Sequence, residues 1–534
     1  MSAETHSRLV RSAATGLERA AAGVVGLGFA AVAVSWATVF QWLRIRDTVA
    51  GVAVVDWFGL ALLTMGGSVL ALGAASRAGL VDTAPSDAAG LVPGVVFGLL
   101  GVTTGFFVVA DWVDAGAEAG LVGGLVLGGV ALAVTVGTRE DVGSTLVPGC
   151  LLVLLGGLVV ADVWTVGWTF RPTWWSLTFS GDWTVPVTTS MASLLAVWSA
   201  GKAHGGFGTA GRQTGAFALV GMNAAAMLAV LGLVVAFVVD KGLVMLLEGA
   251  GLASGTLDLG VLALPWPEVP FVTNVTGSIF VDVPGVMPAV LGTVWLVVGA
   301  VLFAVPLGVG AAVFLSEYAE RGRFTAVVEV ATNGLWSTPS IVYGLFGFAF
   351  LLPRFASGAS NVLSGQLVLG FMLLPLVLIT SREAILAVPK AHRDASAALG
   401  VSKWQTIRSV VLPAAAPGIV TGVILGVGRI AGETAPILLT IRAANFPRSN
   451  PNVLGSFRFT AEPPFVANDA LLQGASALPL QLYTTISAGQ SPRPSEYTQA
   501  EFGWGVALVL LLVVLGFYAV GIATRLYFRR QITQ

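Results

Sequence analysis

The stretch PKAHRDASAALGVSKWQTIRSVVLP, residues 389–413, interrupts a chain that is otherwise strongly apolar. It is too polar to span a membrane, yet small apolar residues recur in it at i, i+4, i+7 and i+8: Ala391, Ala395, Ala398 and Leu399. This spacing predicts a short helix with one flat apolar stripe. We expect the helix to end at Gly400, because glycine is favoured just past a helix C-terminus.

A second helix is predicted directly after the first. Ser402 and Gln405 have the spacing of a capping box, which marks a helix N-terminus, and Pro413 precedes the next apolar run. The two helices together offer an apolar surface on which another protein could dock. An ordinary amphipathic connector would give the same pattern, so the pattern alone leaves both interpretations open.

The composition around this segment defines the class of protein. Of the 534 residues, 56% are hydrophobic and 10% are charged, whereas a soluble domain carries roughly 25% charged residues. The chain is therefore an integral membrane protein. A net charge of −1 suggests no nucleic-acid partner, three scattered histidines argue against a metal site, and the single Cys150 has no partner for an internal disulfide.

Apolar runs of about 20 residues predict an all-α polytopic membrane protein with about twelve transmembrane helices. The first group covers 20–43, 53–77, 91–110, 119–137, 144–166 and the short, hydroxyl-rich 185–200. The second group covers 213–240, 285–315, 328–352, 363–388, 414–440 and 503–527. The Gly-rich stretch 201–215 lies between them and is the predicted domain boundary.

Basic residues predict the orientation in the membrane. They precede the first run and follow the last: Arg8, Arg11, Arg19, Arg525, Arg529 and Arg530. Because Lys and Arg favour the cytoplasmic side, both termini are expected there, which requires an even number of spans and supports the weak span 185–200. Segment 389–413 is then cytoplasmic. The polar segment 441–502 is external, either as a landing surface for a binding protein or as a disordered loop.

The connection between the fifth and sixth runs is rich in tryptophan. Five indoles fall within twenty residues: Trp164, Trp168, Trp174, Trp175 and Trp183. Such residues are typical of membrane-interface anchors. A ligand platform is the alternative.

The sequence RIAGETAP, residues 429–436, places two charges inside an apolar run. A charge at the centre of a membrane helix costs roughly 2.5–3.5 kcal/mol, so Arg429 and Glu433 are expected to face a partner or a cavity. Four residues apart, they share a helix face, and small residues precede them at Gly418, Gly422 and Gly426. The pair is either an interhelical salt bridge or part of an anion path, to which Thr434 would add a hydroxyl.

Two further features are compatible with a path. Arg382 and Glu383 lie at the inner end of a predicted span, as a solvated pair or as a second anion contact. In WSTPSIVYG, Pro339 interrupts a helix. The hydroxyls around it, of Ser337, Thr338 and Ser340, would either satisfy the freed carbonyls or line the path.

Segment 389–413 resembles the coupling-loop motif of ABC-importer permeases. The matching residues are Asp394, Ala395, Ser396, Gly400, Val410, Leu412 and Pro413. The motif usually opens with Glu-Ala-Ala, so Asp394 and Ser396 are conservative departures. In that family the loop fits a cleft on a separate ATPase subunit. This chain has no G-x-x-x-x-G-K-[ST], so the resemblance implies that the ATP-binding subunit is another chain.

Within that superfamily, residues 213–530 resemble the PstA-type permeases of phosphate importers. The stretches that carry the resemblance are VPLGVGAAVFLSEYAERGR, TPSIVYGLFGFAF, GRIAGETAPILLT and ALPLQLYTTI. It implies an ABC-importer permease bundle in 211–534, formed by the last six helices, and leaves 1–210 as an accessory helical region. It also implies a second permease subunit, since only one coupling loop is present, and an extracytoplasmic phosphate-binding protein.

The implied function is that of a phosphate permease without a cofactor. The alternatives are a secondary transporter or channel for an anion, which would not need the coupling loop, and an ABC permease for another oxyanion such as molybdate. A membrane-bound enzyme is disfavoured, because no Ser/His/Asp, Cys/His or metal-ligand set occurs within one region of the sequence.

Overall fold

The computed structural model describes residues 15–113, 115–171, 176–258, 263–275, 283–320, 322–355, 357–441, 452–462, 465–489 and 498–533. It divides into two compact units, Met1–Val235 and Ala236–Gln534. We describe each unit separately.

The first unit is built from long apolar helices joined by short connections. Its elements in chain order are α1 (Gly16–Val39), β1 (Thr48–Val49), β2 (Val52–Ala53), α2 (Val54–Arg77), α3 (Leu91–Phe107), α4 (Gly116–Gly137), α5 (Glu140–Gly143), α6 (Leu146–Val160), β3 (Thr169–Phe170), β4 (Phe179–Ser180), α7 (Gly181–His204) and the start of α8 (Gly208–Leu247). The strands form two antiparallel hairpins, β1–β2 and β3–β4.

Glycines bring the helices of this unit close together. In the α3–α4 hairpin, a methyl group added at Gly101 would lie 2.9 Å from the Cα of Gly128. In the α2–α6 pair, one added at Gly66 would lie 2.8 Å from the Cβ of Leu152. Small residues at such spacing let backbones approach and pack, which is the main source of helix association in a membrane.

A buried carboxylate holds together one end of the first unit. Glu140 accepts hydrogen bonds from the backbone N–H of Ser86 at 3.1 Å and of Gly208 at 3.0 Å, and from Nε of Arg212 at 2.9 Å. The α2–α3, α4–α6 and α7–α8 connections therefore converge on one side chain. The predicted boundary at 201–215 lies partly within this network, and the division into 1–210 and 211–534 stays a prediction.

The second unit contains segment 389–413. After the end of α8, its elements are β5 (Gly251–Asp258), β6 (Ala263–Glu268), α9 (Pro270–Thr273), α10 (Met287–Val313), α11 (Arg323–Ser337), α12 (Ser340–Phe346), α13 (Leu352–Phe355), α14 (Val362–Leu386), α15 (Lys390–Ala398), α16 (Lys403–Thr406), α17 (Leu412–Ala431), α18 (Ala435–Thr440), β7 (Phe457–Phe459), β8 (Val466–Asn468), α19 (Leu478–Ile486) and α20 (Gln499–Thr533). The strands pair as β5–β6 and β7–β8, both antiparallel.

Helices α10, α14 and α17 form the core of this unit. The predicted small-residue face of α17 packs on α14, where methyl groups added at Gly418, Gly422 and Gly426 would lie 2.8, 2.0 and 2.2 Å from side chains. Those side chains are Ala384, Thr380 and Leu373, all on α14. The prediction of close helix approach along this face is confirmed.

Ten helices of the described chain are long and apolar enough to cross a membrane, and eleven if one bent pair counts as a span. The predicted number of about twelve included residues 185–200. This stretch does form a helix, α7, of 24 residues. Its serines and threonines make it less apolar than the other candidates, so its status as a span stays a prediction.

Two other predicted features differ in detail. Pro413 does not separate a connector from a span, because helical structure runs from Lys403 to Ala431, with a π-helical turn at Ile407–Val411. Trp164 is buried rather than an interface anchor. Trp174 and Trp175 lie outside the described residues.

In the predicted external segment, Asp469 pairs with Arg458 of β7. Arg442, Arg448 and Glu496, which are also charged residues of this segment, lie outside the described residues.

Candidate functional site

The charged pair of RIAGETAP lies at a break between two helices. The sequence predicted one helix through 414–440, but α17 ends at Ala431 and α18 begins at Ala435. Arg429 is in the last turn of α17, whereas Glu433 is in the break. The predicted shared helix face is therefore wrong for Glu433. The two still form an ion pair, with 3.8 Å between Nε of Arg429 and Oε1 of Glu433.

A second break separates α11 from α12, where the chain bends by 100°. Pro339 lies at the bend and cannot donate a backbone hydrogen bond. The hydroxyls of Ser337 and Thr338 donate to the carbonyl of Gly334, at 3.0 and 2.8 Å. These two residues satisfy a carbonyl freed by the bend, as predicted.

The two breaks meet in space. α12 packs directly on α18, so closely that a methyl group added at Gly344 would lie 2.8 Å from the Cα of Pro436. On the other side of the breaks, the guanidinium of Arg429 lies over the ring of Trp336, 4.4 Å from its centroid. Non-helical backbone is tolerated at membrane depth where it is buried in protein or lines a water-filled cavity. The meeting of two such breaks makes this the candidate site.

All four predicted path residues lie in these breaks or beside them. Arg429 is at the end of α17 and Glu433 is in the break that follows. Thr434 precedes the first residue of α18, and Ser340 is the first residue of α12; both are half-buried. The side chain of Arg429 is 41% exposed and that of Glu433 is 18% exposed. The arginine is thus held at the edge of the unit and not sealed in its core.

The arrangement leaves the arginine able to bind an anion. A separation of 3.8 Å is too long for a hydrogen bond, so Glu433 offsets charge without occupying the Nε donor. The indole of Trp336 contributes a cation–π contact, worth about 0.5–1 kcal/mol at an exposed site. The planar guanidinium fork matches the oxygens of a carboxylate or phosphate.

A second arginine pairs with α11 from a neighbouring helix. Nη2 of Arg382, on α14, is 2.7 Å from Oε1 of Glu329 on α11. The predicted Arg382–Glu383 pair is therefore replaced by a pair between helices. A cavity of about 260 Å³ opens here, lined by Leu315, Glu329, Thr332, Asn333, Leu378, Ile379, Arg382 and Glu383.

The coupling loop, residues 389–413, has the predicted two-helix form. α15 ends at Ala398 and Gly400 has a φ of +73°, the left-handed conformation expected past a helix end. Ser402 and Gln405 form the predicted capping box at the start of α16. The stripe of Ala391, Ala395, Ala398 and Leu399 is exposed, and Leu399 is 83% exposed. Within the described chain this apolar stripe is left uncovered.

The motif residues differ in exposure. Asp394, Ala395 and Gly400 are exposed, whereas Ser396 is buried. Further along the loop, Leu412 is half-buried and Pro413 is exposed.

An arginine that the motif does not include fixes the loop. Nη2 of Arg393 lies 2.7 Å from Oε1 of Glu317, in the π-helical turn that follows α10. The same guanidinium donates to the carbonyls of Val388 at 2.7 Å and Ile385 at 2.9 Å. α15 is thereby tied both to the end of α14 and to the end of α10.

Sequence reasoning did not identify Arg393, Glu317, Glu329 or Trp336 as site residues. For Glu329 and Trp336, the sequence does contain a pattern that indicates such a role. In EVATNGLWS, the residues Glu329, Thr332, Asn333 and Trp336 recur at i, i+3, i+4 and i+7. Polar side chains on one face of a membrane helix predict a face turned to protein or to a cavity.

The described residues contain no group of three or more His, Cys, Asp or Glu side chains that could hold a metal ion. The site is thus built from an arginine, a glutamate, hydroxyls and an aromatic ring.

Comparison with known proteins gives consistent matches. The family model described as "Binding-protein-dependent transport system inner membrane component" matches residues 304–533. The probable ABC transporter permease protein YqgI of Bacillus subtilis (strain 168) is 31% identical over 245 residues, which are 46% of this chain and 79% of that protein. The phosphate transport system permease protein PstA of Mycobacterium leprae (strain TN) is 34% identical over 244 residues, which are 45% of this chain and 70% of that protein.

A solved structure, an inward-facing conformation of the MetNI methionine ABC transporter, is 18% identical with a TM-score of 0.33. The match covers 46% of this chain and 94% of that chain. The sequence matches, including relatives more than 30% identical over most of their own length, give the identity of the family. The chain belongs to the ABC-importer permeases, the inner membrane components of binding-protein-dependent transport systems.

Proposed function

We propose that this chain is the permease subunit of an ATP-driven importer of inorganic phosphate. The observation that carries the proposal is the position of Arg429, half-exposed where two helix breaks meet. The names of relatives such as the PstA protein of Mycobacterium leprae support phosphate as the substrate.

The chemistry of the site favours an anion that binds and leaves. Arg429 presents donors in a fixed plane over Trp336, which suits the tetrahedral oxygens of phosphate. Glu433 lies close enough to offset part of the positive charge. A transport path needs binding that is weak enough to release the ion. Glu433 therefore limits trapping of the anion, and Thr434 and Ser340 add hydroxyls at the same breaks.

Arg382 provides a second contact on the path. It pairs with Glu329, which lies seven residues before Trp336 on α11. At about 1.5 Å of rise per residue, the two positions are roughly 10 Å apart along the helix. The polar cavity beside Arg382, which Glu329 and Glu383 also line, lies where the anion would pass between Arg429 and the cytoplasm.

The coupling loop is where the ATP-binding subunit docks. Its exposed alanine stripe fits a partner of complementary shape, and Arg393 links α15 to Glu317 at the end of α10. Movement of the docked subunit would be transmitted to α10 and α14 through this link. Asp394, Ala395, Ser396, Gly400, Leu412 and Pro413 belong to this surface or to the helices that shape it.

The complete importer would contain a second permease subunit and an extracytoplasmic phosphate-binding protein, which docks on segment 441–502. The chain lies in the cell membrane as a multi-pass protein with both termini in the cytoplasm. Residues 1–210 form an accessory helical region, and 211–534 form the permease domain.

Phosphate uptake tests this proposal. A strain that lacks this chain should take up labelled phosphate slowly at low external phosphate, and re-expression of the chain should restore uptake. Unlabelled arsenate should compete, because it has the same shape and charge, whereas molybdate should not. Restored molybdate uptake without phosphate uptake would instead assign the permease to another oxyanion, and transport that needs no ATP-binding subunit would indicate a secondary transporter.

A further inference from the structure

The first unit contains a cavity of about 470 Å³ between α3, α6 and α7. Its lining includes Thr103, Thr104, Leu155, Trp164, Trp168 and Thr188. We call this space the lateral cavity.

The lining of the lateral cavity is apolar in character and has no charged side chain. Both indole N–H groups already donate hydrogen bonds within the protein. Trp164 donates to Oγ1 of Thr184 at 3.2 Å, and Trp168 donates to Oδ2 of Asp111 at 2.9 Å. The rings therefore present carbon to the cavity. Four threonines also line the cavity, but an ion would lose its hydration here without gaining a charged partner.

Two lining tryptophans pack against each other in the wall of the cavity. Trp164 and Trp168 meet edge to face, with ring centroids 6.3 Å apart. The cavity is open beside Met191 of α7, which lines it and is 56% exposed.

The cavity opens beside a helix that is apolar enough to span the membrane. α3 is one of the helices apolar enough to cross a membrane, and its exposed side chains, such as Leu99, are apolar. Water would find few partners in such a cavity, and an empty cavity would cost its lining the dispersion contacts of a filled one. A hydrocarbon chain from the surrounding bilayer needs no polar partners and would restore the dispersion contacts.

We propose that the lateral cavity binds one acyl chain of a membrane phospholipid. The acyl chain enters sideways between α3 and α7 and ends beneath Trp164 and Trp168. This site is independent of the phosphate path, because all of its walls belong to the first unit.

Photo-cross-linking tests this site. The full-length protein is reconstituted in vesicles that contain phosphatidylglycerol with a diazirine on one acyl chain, and adducts are mapped by peptide mass spectrometry. Leu155 is 8% exposed and lines the cavity, whereas Leu121 on α4 is 54% exposed on the outer surface. We expect labelling of Leu155 comparable with that of Leu121. Labelling of Leu121 with none of Leu155 would overturn the proposal, and this comparison needs no variant.

Filling the cavity provides the second arm. Thr188→Trp, from α7, and Thr104→Trp, from α3, should each lower labelling of Leu155 about ten-fold while labelling of Leu121 persists. Val122→Trp adds the same ring on the exposed face of α4. It should change the labelling of neither Leu155 nor Leu121. Unchanged labelling of Leu155 in both filled variants would show that the probe reaches it by another route and would contradict the proposal.

Discussion

Nη2 of Arg393 lies 2.7 Å from Oε1 of Glu317, and this contact joins the coupling loop to the end of α10. Glu317 is only 9% exposed, so the pair is largely shielded from water. The guanidinium also holds the carbonyls of Val388 and Ile385. A single side chain therefore sets the position of α15 relative to two long helices, and the first prediction follows from it.

Arg393→Ala should uncouple transport. Removing one partner of a buried pair costs about 3–5 kcal/mol, because the other charge is left unpaired. We expect phosphate uptake to fall at least ten-fold at an unchanged level of inserted protein, and Glu317→Gln should have the same effect. Arg525→Ala removes an exposed arginine far along the chain from the loop and is the matched control. Normal uptake by Arg393→Ala would show that the contact does not transmit coupling.

Gly400→Val should displace α16. With φ at +73°, a β-branched residue pays about 1–2 kcal/mol for the left-handed conformation. We expect the protein to reach the membrane but the ATP-binding subunit no longer to co-purify with it. Gly400→Asn is the control, because asparagine tolerates this conformation. If the valine variant co-purifies with its ATPase and transports normally, the assignment of the coupling loop is wrong.

Gly422→Leu should destabilise the second unit. Even a methyl group at this position would lie 2.0 Å from Oγ1 of Thr380, so α17 must separate from α14. Overpacking of this kind costs about 1–3 kcal/mol. The measurement is the midpoint of thermal aggregation of the purified protein, which should fall. Gly310→Leu, on α10 where an added methyl group meets nothing within 4 Å, should leave the midpoint unchanged, and equal midpoints for both variants would refute the packing account.

The proposed orientation makes its own prediction. Reporters fused after Gln534 and inserted at Gly205 should report the cytoplasm, while one inserted within residues 450–460 should report the exterior. If the reporter at Gly205 reads external, the number of spans before Gly205 is odd. Five spans precede α7, so α7 would then not cross the membrane.

The sequence predicted the parts of this protein that repeat a local pattern. The capping box of Ser402 and Gln405, the end of α15 at Gly400 and the glycine face of α17 were all predicted from spacing, because each depends on neighbours along one helix. The role proposed for the coupling loop comes from family resemblance.

What the sequence concealed depends on contacts between distant residues. The apolar run 414–440 continues across Gly432, so hydropathy hides the break that places Glu433 outside α17. Arg382 has Glu383 as its neighbour in sequence but pairs with Glu329 on another helix. Arg393 gains its role only when Glu317, 76 residues away, is brought beside it. Such pairs are set by helix packing, which one sequence does not specify.

We expect Arg429 to bind the transported anion. Arg429→Lys keeps the charge but loses the planar fork and the contact with Trp336, so uptake should fall about ten-fold, equivalent to ~1.4 kcal/mol. Arg429→Gln should nearly abolish uptake.

The double variant Arg429→Gln with Glu433→Gln separates a path residue from a structural one. A salt bridge that is replaced as a whole is often tolerated, whereas half of one is not. The most direct measurement is labelled phosphate uptake per unit of membrane-inserted protein in this double variant. We predict a stably inserted protein without uptake, and recovery of uptake to near the wild-type rate would show that Arg429 only braces the helices.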